Sequence, residues 1–162
     1  MKTLRIVMLL MALSMITYYT NAQDIYRNIP SPATNNFSAK YPGATVKNWK
    51  KDAAGYEALF KMNKEKSTAY YDPSGNWVRT ETNIPLSKLP VDIRYALRQS
   101  NFASYHIDDV RNIHTPVTDM YRLEVDNNGG NPVSYTDFGS MDNRLLYFSP
   151  SGHLLKTKNN NN

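Results

Sequence analysis

The chain of 162 residues contains no cysteine. That excludes disulfides, a thiol nucleophile, a Cys-built metal site and a lipid-bearing Cys. Histidine is almost as scarce. His106, His114 and His153 are the three present, and their spacing matches no compact metal motif. Glycine is low, at seven, and no glycine-rich phosphate loop follows a strand-like segment. Long apolar runs are missing too. The uncharged stretch from Ile6 to Tyr19 is shorter than the ~20 residues that span a bilayer. It follows Lys2 and Arg5 and precedes Thr20-Asn21-Ala22, so residues 1–22 read as a signal peptide cut before Gln23. Those residues hold two bases and no acid. Residues 23–162 therefore carry seventeen Lys and Arg against fourteen Asp and Glu, a formal +3. Such a mild excess argues against a nucleic-acid partner. An exported chain without cysteine fits a bacterial periplasm or secretion route.

What the chain has in quantity is tyrosine, twelve residues, and a phrase written twice. "YYDPSGNWVRT" at 70–80 returns as "YFSPSGHLLKT" at 147–157, an offset of 77. Upstream, "GYEALFKM" at 55–62 matches "MYRLEVDN" at 120–127, and "YPGATV" at 41–46 matches "FASYHI" at 102–107. A helical segment precedes each copy. Ala33, Phe37 and Tyr41 share one helix face, and Ile93, Ala96, Leu97 and Ser100 share another. Each unit thus reads as a helix followed by four strands. The first has its helix near 32–40 and strands near 44–51, 55–63, 66–72 and 76–82. The second has its helix near 90–101 and strands near 105–114, 119–126, 143–149 and 153–158. Unit one covers about 31–83 and unit two about 84–158. Residues 23–30 form a linker, and 159–162 form an Asn tail expected to be disordered. Growing offsets place an insertion in the central hairpin of unit two, 126–143.

The fold expected is α+β: a tandem repeat of a helix plus a four-stranded antiparallel sheet, joined into one curved sheet with the helices on one face. Strand alternation turns Tyr56, Ala58, Phe60, Ala69 and Tyr71 toward the helices, with Leu123, Val125, Leu146 and Phe148 in unit two. Glu57, Leu59, Lys61, Thr68, Tyr70, Arg122, Glu124, Leu145 and Tyr147 then lie on the opposite face. That mixed aromatic and charged face is the candidate partner surface, because rings give large contact area at low entropic cost. Tyr70, Tyr147, Trp49, Trp77, Tyr135 and Phe138 are its candidate anchors, and Arg122 and Lys61 its charge selectors. Trp49 and Trp77 fit a core equally well. Ser74 and Ser151 sit at turn positions where backbone geometry is their ordinary purpose. "DPSGN" at 72–76 and "DNNGGN" at 126–131 are rich in oxygen, yet lack the spaced acids and closing Glu of a calcium loop. No catalytic residue, metal or cofactor is expected.

The pattern "KYPGATVKNW…GYEALF…AYYDPSGNWVRTET…MYRLEV…LLYFSPSGHLLK" resembles the exported PepSY-like proteins, also described as similar to β-lactamase-inhibitor protein. The resemblance covers roughly 31–158. It implies a tandem α–β4 architecture, a periplasmic or secreted location, and a role in binding or inhibiting another exported protein. It brings no catalytic residues. Residues and resemblance together point to a non-enzymatic binding module with no nucleic-acid partner and no membrane after signal cleavage. A small-ligand or glycan-binding module is the alternative.

Overall fold

A computed structural model describes residues 29–127 and 142–160. Among the described residues, two α-helices and eight strands follow one another as α1 (Ser31–Lys40), β1 (Thr45–Asp52), β2 (Gly55–Met62), β3 (Glu65–Tyr71), β4 (Trp77–Asn83), α2 (Val91–Arg98), β5 (His106–His114), β6 (Asp119–Asp126), β7 (Arg144–Phe148) and β8 (Leu154–Asn159). The strands form a single open antiparallel sheet in chain order, so β1 and β8 are its edges. The fold is α+β. A short 3-10 turn, Leu86–Lys88, precedes α2 and is absent from the sequence expectation.

Proline starts both helices. Pro30 and Pro90 cap them in extended conformation, and Pro32 occupies the first turn of α1, where its missing N–H costs nothing. Each helix then buries two residues at i and i+4, Ala33 and Phe37 in α1, Ile93 and Leu97 in α2. Lys40 and Arg98 stand in the last turns, where a cation meets the negative end of the helix dipole.

The register puts both helices on one side. Trp49, Ala58, Ala69 and Thr80 form one rung, which continues through His114 to Asp119. Phe60, Ser67, Thr82, Asn112, Tyr121 and Phe148 form the next. These rungs carry two separate cores. Under α1, Phe37, Trp49, Phe60 and Tyr71 pack with Ala33, Ala58 and Ala69. Under α2, Ile93, Leu97 and Leu89 pack with Val110, Leu123, Val125, Leu146 and Phe148. The central strands β4 and β5 put Thr80, Thr82, Asn112 and His114 on this side, so a polar stripe separates the cores.

The doubled phrase forms two similar turns. Asp72 N–H donates to Asn76 O at 2.9 Å, and Ser149 N–H donates to His153 O at 2.9 Å. Gly75 and Gly152 take φ of +85° and +82°. Both glycines lie against the first turn of a helix, Gly75 against Pro32 and Ala33, Gly152 against Asp92. Asn36 of α1 donates to Gly75 O at 2.8 Å. The turns therefore dock the ends of β3 and β7 onto the helices.

Two anchor expectations are corrected here. Trp49 is buried on the helix side, against Phe37 and Tyr71. A one-residue bulge between Val46 and Asn48 shifts the register, so Trp49 faces Ala58 rather than Glu57. A second bulge, between Tyr70 and Tyr71, pairs Trp77 with Tyr71 and turns it to the same side. Trp77 is half-buried there. Lys40 lies 3.5 Å from its ring centroid, and its indole N–H donates to Thr80 Oγ1 at 2.9 Å.

Candidate functional site

The face without helices is polar and aromatic. Its rungs read Lys50–Glu57–Tyr70–Arg79, then Leu59–Thr68–Glu81–Ile113–Met120, and then Arg111–Arg122–Tyr147–Lys156. The outer rung is Asp109–Glu124–Leu145–Lys158. Lys61 pairs with Lys66 at one end. Of the residues expected from sequence, the anchors Tyr70 and Tyr147 and the charge selectors Arg122 and Lys61 lie on this face. Tyr135 and Phe138 lie outside the described residues.

At the centre stands a group the sequence reading did not single out. Glu81 is 5% exposed, and three arginines from three strands reach its carboxylate. Arg79 Nε donates to Oε1 at 3.0 Å. On Oε2, Arg122 Nη1 lies at 3.2 Å and Arg111 Nη1 at 3.5 Å. Arg111 also donates from Nε to Asp109 Oδ2 at 2.7 Å, and Asn83 donates to the other oxygen of Asp109. Charge-assisted contacts of this kind are the stronger class of hydrogen bond. Arg79 stacks its guanidinium 3.7 Å from the Tyr70 ring centroid, an arrangement worth about 1 kcal/mol. Burial, and then the Glu81 and Glu57 carboxylates, push the Tyr70 phenol above its usual range.

The arrangement is layered. Glu81 lies beneath, while Arg79 and Arg111 remain 38% and 34% exposed above it. Arg122, 17% exposed, is the deepest of the three, and its Nε is buried without a hydrogen-bond partner. Beside this network an open depression of about 580 Å³ is lined by Leu59, Lys66, Thr68, Glu81 and Arg111, among others. The signal that could have found the network was the Arg79/Glu81 alternation on one predicted strand. Its partners were hidden because they belong to the other half of the chain.

The oxygen-rich turns are held by local hydrogen bonds. Asp72 Oδ1 accepts the Asn76 N–H at 2.8 Å, and Oδ2 accepts the Asn76 side-chain amide at 3.0 Å. The Asn76 side chain and then its backbone N–H hold the Asp72 carboxyl below its usual range. Ser149 Oγ accepts the His153 N–H at 3.1 Å, the same task with a hydroxyl. Asp72→Ser is therefore expected to leave the melting midpoint near wild type, with Asp72→Ala clearly lower. A scan of both variants by circular dichroism checks this. If Ser is as damaging as Ala, the carboxylate has another use. Ser151 Oγ lies 3.0 Å from His153 Nδ1, but on an exposed turn rather than in a cleft. Among the described residues, no group of three or more His, Asp or Glu is placed to hold a metal ion. Among the same residues no helix is long and apolar enough to cross a membrane.

Residues 54–156 match the model of a family described as "Putative beta-lactamase-inhibitor-like, PepSY-like". No curated protein matches the chain. Among solved structures, it is similar to a DUF2874 family protein from Bacteroides ovatus, at 26% identity and a TM-score of 0.69 over 81% of this chain and 87% of that one. A BLIP-like protein from Bacteroides fragilis aligns at 23% identity and a TM-score of 0.68, over 83% and 88%. A protein described as one of the "putative periplasmic proteins" of Bacteroides eggerthii aligns at 23% identity and 0.68, over 81% and 88%. The last two, at their identity, establish likeness of fold.

Proposed function

The chain belongs to the PepSY-like, β-lactamase-inhibitor-like family, and from that premise we propose that it is an exported, non-enzymatic module that binds another protein through the helix-free face of its sheet. The observation that carries this reading is the asymmetry of the sheet. One side is closed by two helices over two apolar cores. The other leaves Tyr70, Tyr147 and a network of arginines partly exposed across β3 to β8 with no chain element of the described residues lying on it. An extended face with arginine and tyrosine near its centre suits a protein contact, in which such residues carry most of the energy. Its depression is open rather than a closed apolar pocket, which favours a protein over a small ligand. Export rests on the signal-like residues 1–22.

The two helix-plus-strands units are, in this proposal, copies of one ancestral unit fused to widen the face. Support comes from matched irregularities. Bulges at Val46/Asn48 and Tyr70/Tyr71 have counterparts at Ile107/Asp109 and Tyr147/Phe148. The doubling sets Tyr70 and Tyr147 at equivalent places on the face.

The test is capture of a partner from a periplasmic fraction by residues 23–162, with the captured protein identified by mass spectrometry. Tyr70→Ala combined with Tyr147→Ala is expected to lose at least about tenfold in affinity for that protein, since each ring is a ~1–2 kcal/mol contact at such surfaces. The melting midpoint is expected to stay near wild type, because neither ring belongs to a core cluster. Undiminished capture by the double variant would refute the assignment of the face.

A further inference from the structure

The helix-free face carries more bases than acids, and its exposed charge is mostly positive. Lys50, Lys61, Lys66 and Arg79 stand on it from β1 to β4, and Arg111, Arg122, Lys156 and Lys158 from β5 to β8. Against these eight bases the paired rungs place six acids, Asp52, Glu57, Glu81, Asp109, Glu124 and Asp126. The face is thus +2, of the +3 that residues 23–162 carry together. Four of the six acids are buried or engaged by other side chains, and Asp126 is one of the buried ones. Glu81 is buried beneath three arginines, Asp109 is taken by Arg111 and Asn83, and Glu124 accepts from Asn160 at 2.6 Å. The five lysines stand outward. Lys156 and Lys158 repel each other, and Lys158 holds the Lys156 ammonium below the usual lysine range.

Resting on the reading that this face is the contact surface, we propose that it recognises an acidic segment of a protein partner, with the Glu81-held arginines gripping its carboxylates and the flanking lysines steering it in. The physical logic is preorganisation. An arginine fork fits a carboxylate with two parallel hydrogen bonds, but free arginine loses side-chain entropy on binding. Here Glu81 has already fixed the three guanidinium groups, so a partner carboxylate meets them without that loss. The lysines are exposed and long, which suits attraction at a distance rather than close fit.

The probe is a synthetic peptide of about twelve residues with Glu at alternate positions, titrated by fluorescence anisotropy into the 23–162 chain. A matched Gln peptide and a sulfated heparin fragment serve as comparisons. The Glu peptide is expected to bind, weakening as salt rises, with the Gln peptide at least about tenfold weaker. Two triple variants separate position from net charge. Lys66, Lys156 and Lys158 all changed to Gln remove charge from the face. Lys51, Arg94 and Arg98 changed to Gln remove the same charge from exposed positions on the helix side. The first triple is expected to cost about tenfold in affinity and the second about twofold. Equal losses in both, or heparin binding without Glu-peptide binding, would overturn the proposal. If the Glu peptide fails while the Tyr70/Tyr147 variant still loses a captured protein, the face remains a contact surface and only the acidic partner falls.

Discussion

Gly152→Ala is expected to lower the unfolding free energy by about 2–5 kcal/mol, and Gly75→Ala by a similar amount. Two costs add. At φ +82° an L side chain sits in the left-handed region, which costs roughly 1–2 kcal/mol. A Cβ at Gly152 would also stand 2.7 Å from the Asp92 carbonyl oxygen, and one at Gly75 would stand 2.6 Å from Ala33 N and 2.9 Å from Pro32 Cβ. Backbone is the obstacle in both cases, so the turn must lift off the helix, an overpacking cost of ~1–3 kcal/mol. Gly43 separates the two terms. Its φ is +80°, but a methyl added there would meet nothing within 4 Å, so Gly43→Ala is expected to cost only the conformational ~1 kcal/mol. Urea unfolding of the three variants measures this as a change of midpoint at constant slope. If the three alanines cost the same, contact with the helix is not what selects glycine in the doubled phrase.

Glu81→Ala is the second large effect. It leaves three guanidinium groups facing one another at the seam between β4 and β5, where the ladder is four residue pairs long. Removing one partner of a buried ion pair costs ~3–5 kcal/mol. Arg79 and Arg111 are more than a third and about a third exposed and can turn to water, so the expected loss is nearer ~2–3 kcal/mol. Arg79→Gln, at the exposed rim, is expected to cost under about 1 kcal/mol. Arg122 is the buried partner, and a double-mutant cycle of Glu81 with Arg122 should return a coupling of at least about 1 kcal/mol. Guanidinium chloride is unsuitable because it screens the pair, so urea or heat should be used. A Glu81→Ala protein as stable as wild type would mean that the network contributes nothing to stability.

The two effects fall on different links of the same chain of cause. The glycine turns fix how each helix closes one side of the sheet. Glu81 fixes what the other side presents. A protein that loses the first should lose cooperativity of the whole domain. One that keeps the fold but loses the second should bind an acidic segment with less preorganised donors.

Much of this was legible in the chain. Period-two alternation placed the eight strands within a residue or two of their ends, and it put Tyr70, Tyr147, Arg122 and Lys61 on the helix-free face. The Pro-Ser-Gly phrase announced two tight turns, because its requirements are local: a fixed φ at Pro and a positive φ at Gly. Local signals stop at the next register. A bulge inserts one residue without changing composition, and a shift of one residue moves every later side chain to the opposite face. That is how Trp49 passed from expected anchor to core, and how Trp77 came to lie beneath Lys40 and beside His114. At the other end, β8 runs to Asn159 and Asn160 donates to Glu124, so the strand pairing continues into the Asn-rich segment.

By itself the sequence determined the strands, the turns, the apolar sides and the likeness between the two halves, since each depends on neighbours a few residues away. Only the tertiary structure decided that β4 pairs with β5. That pairing lines up residues some thirty positions apart, brings Arg111 and Arg122 onto Glu81, and so makes four ordinary charged residues into one preorganised surface.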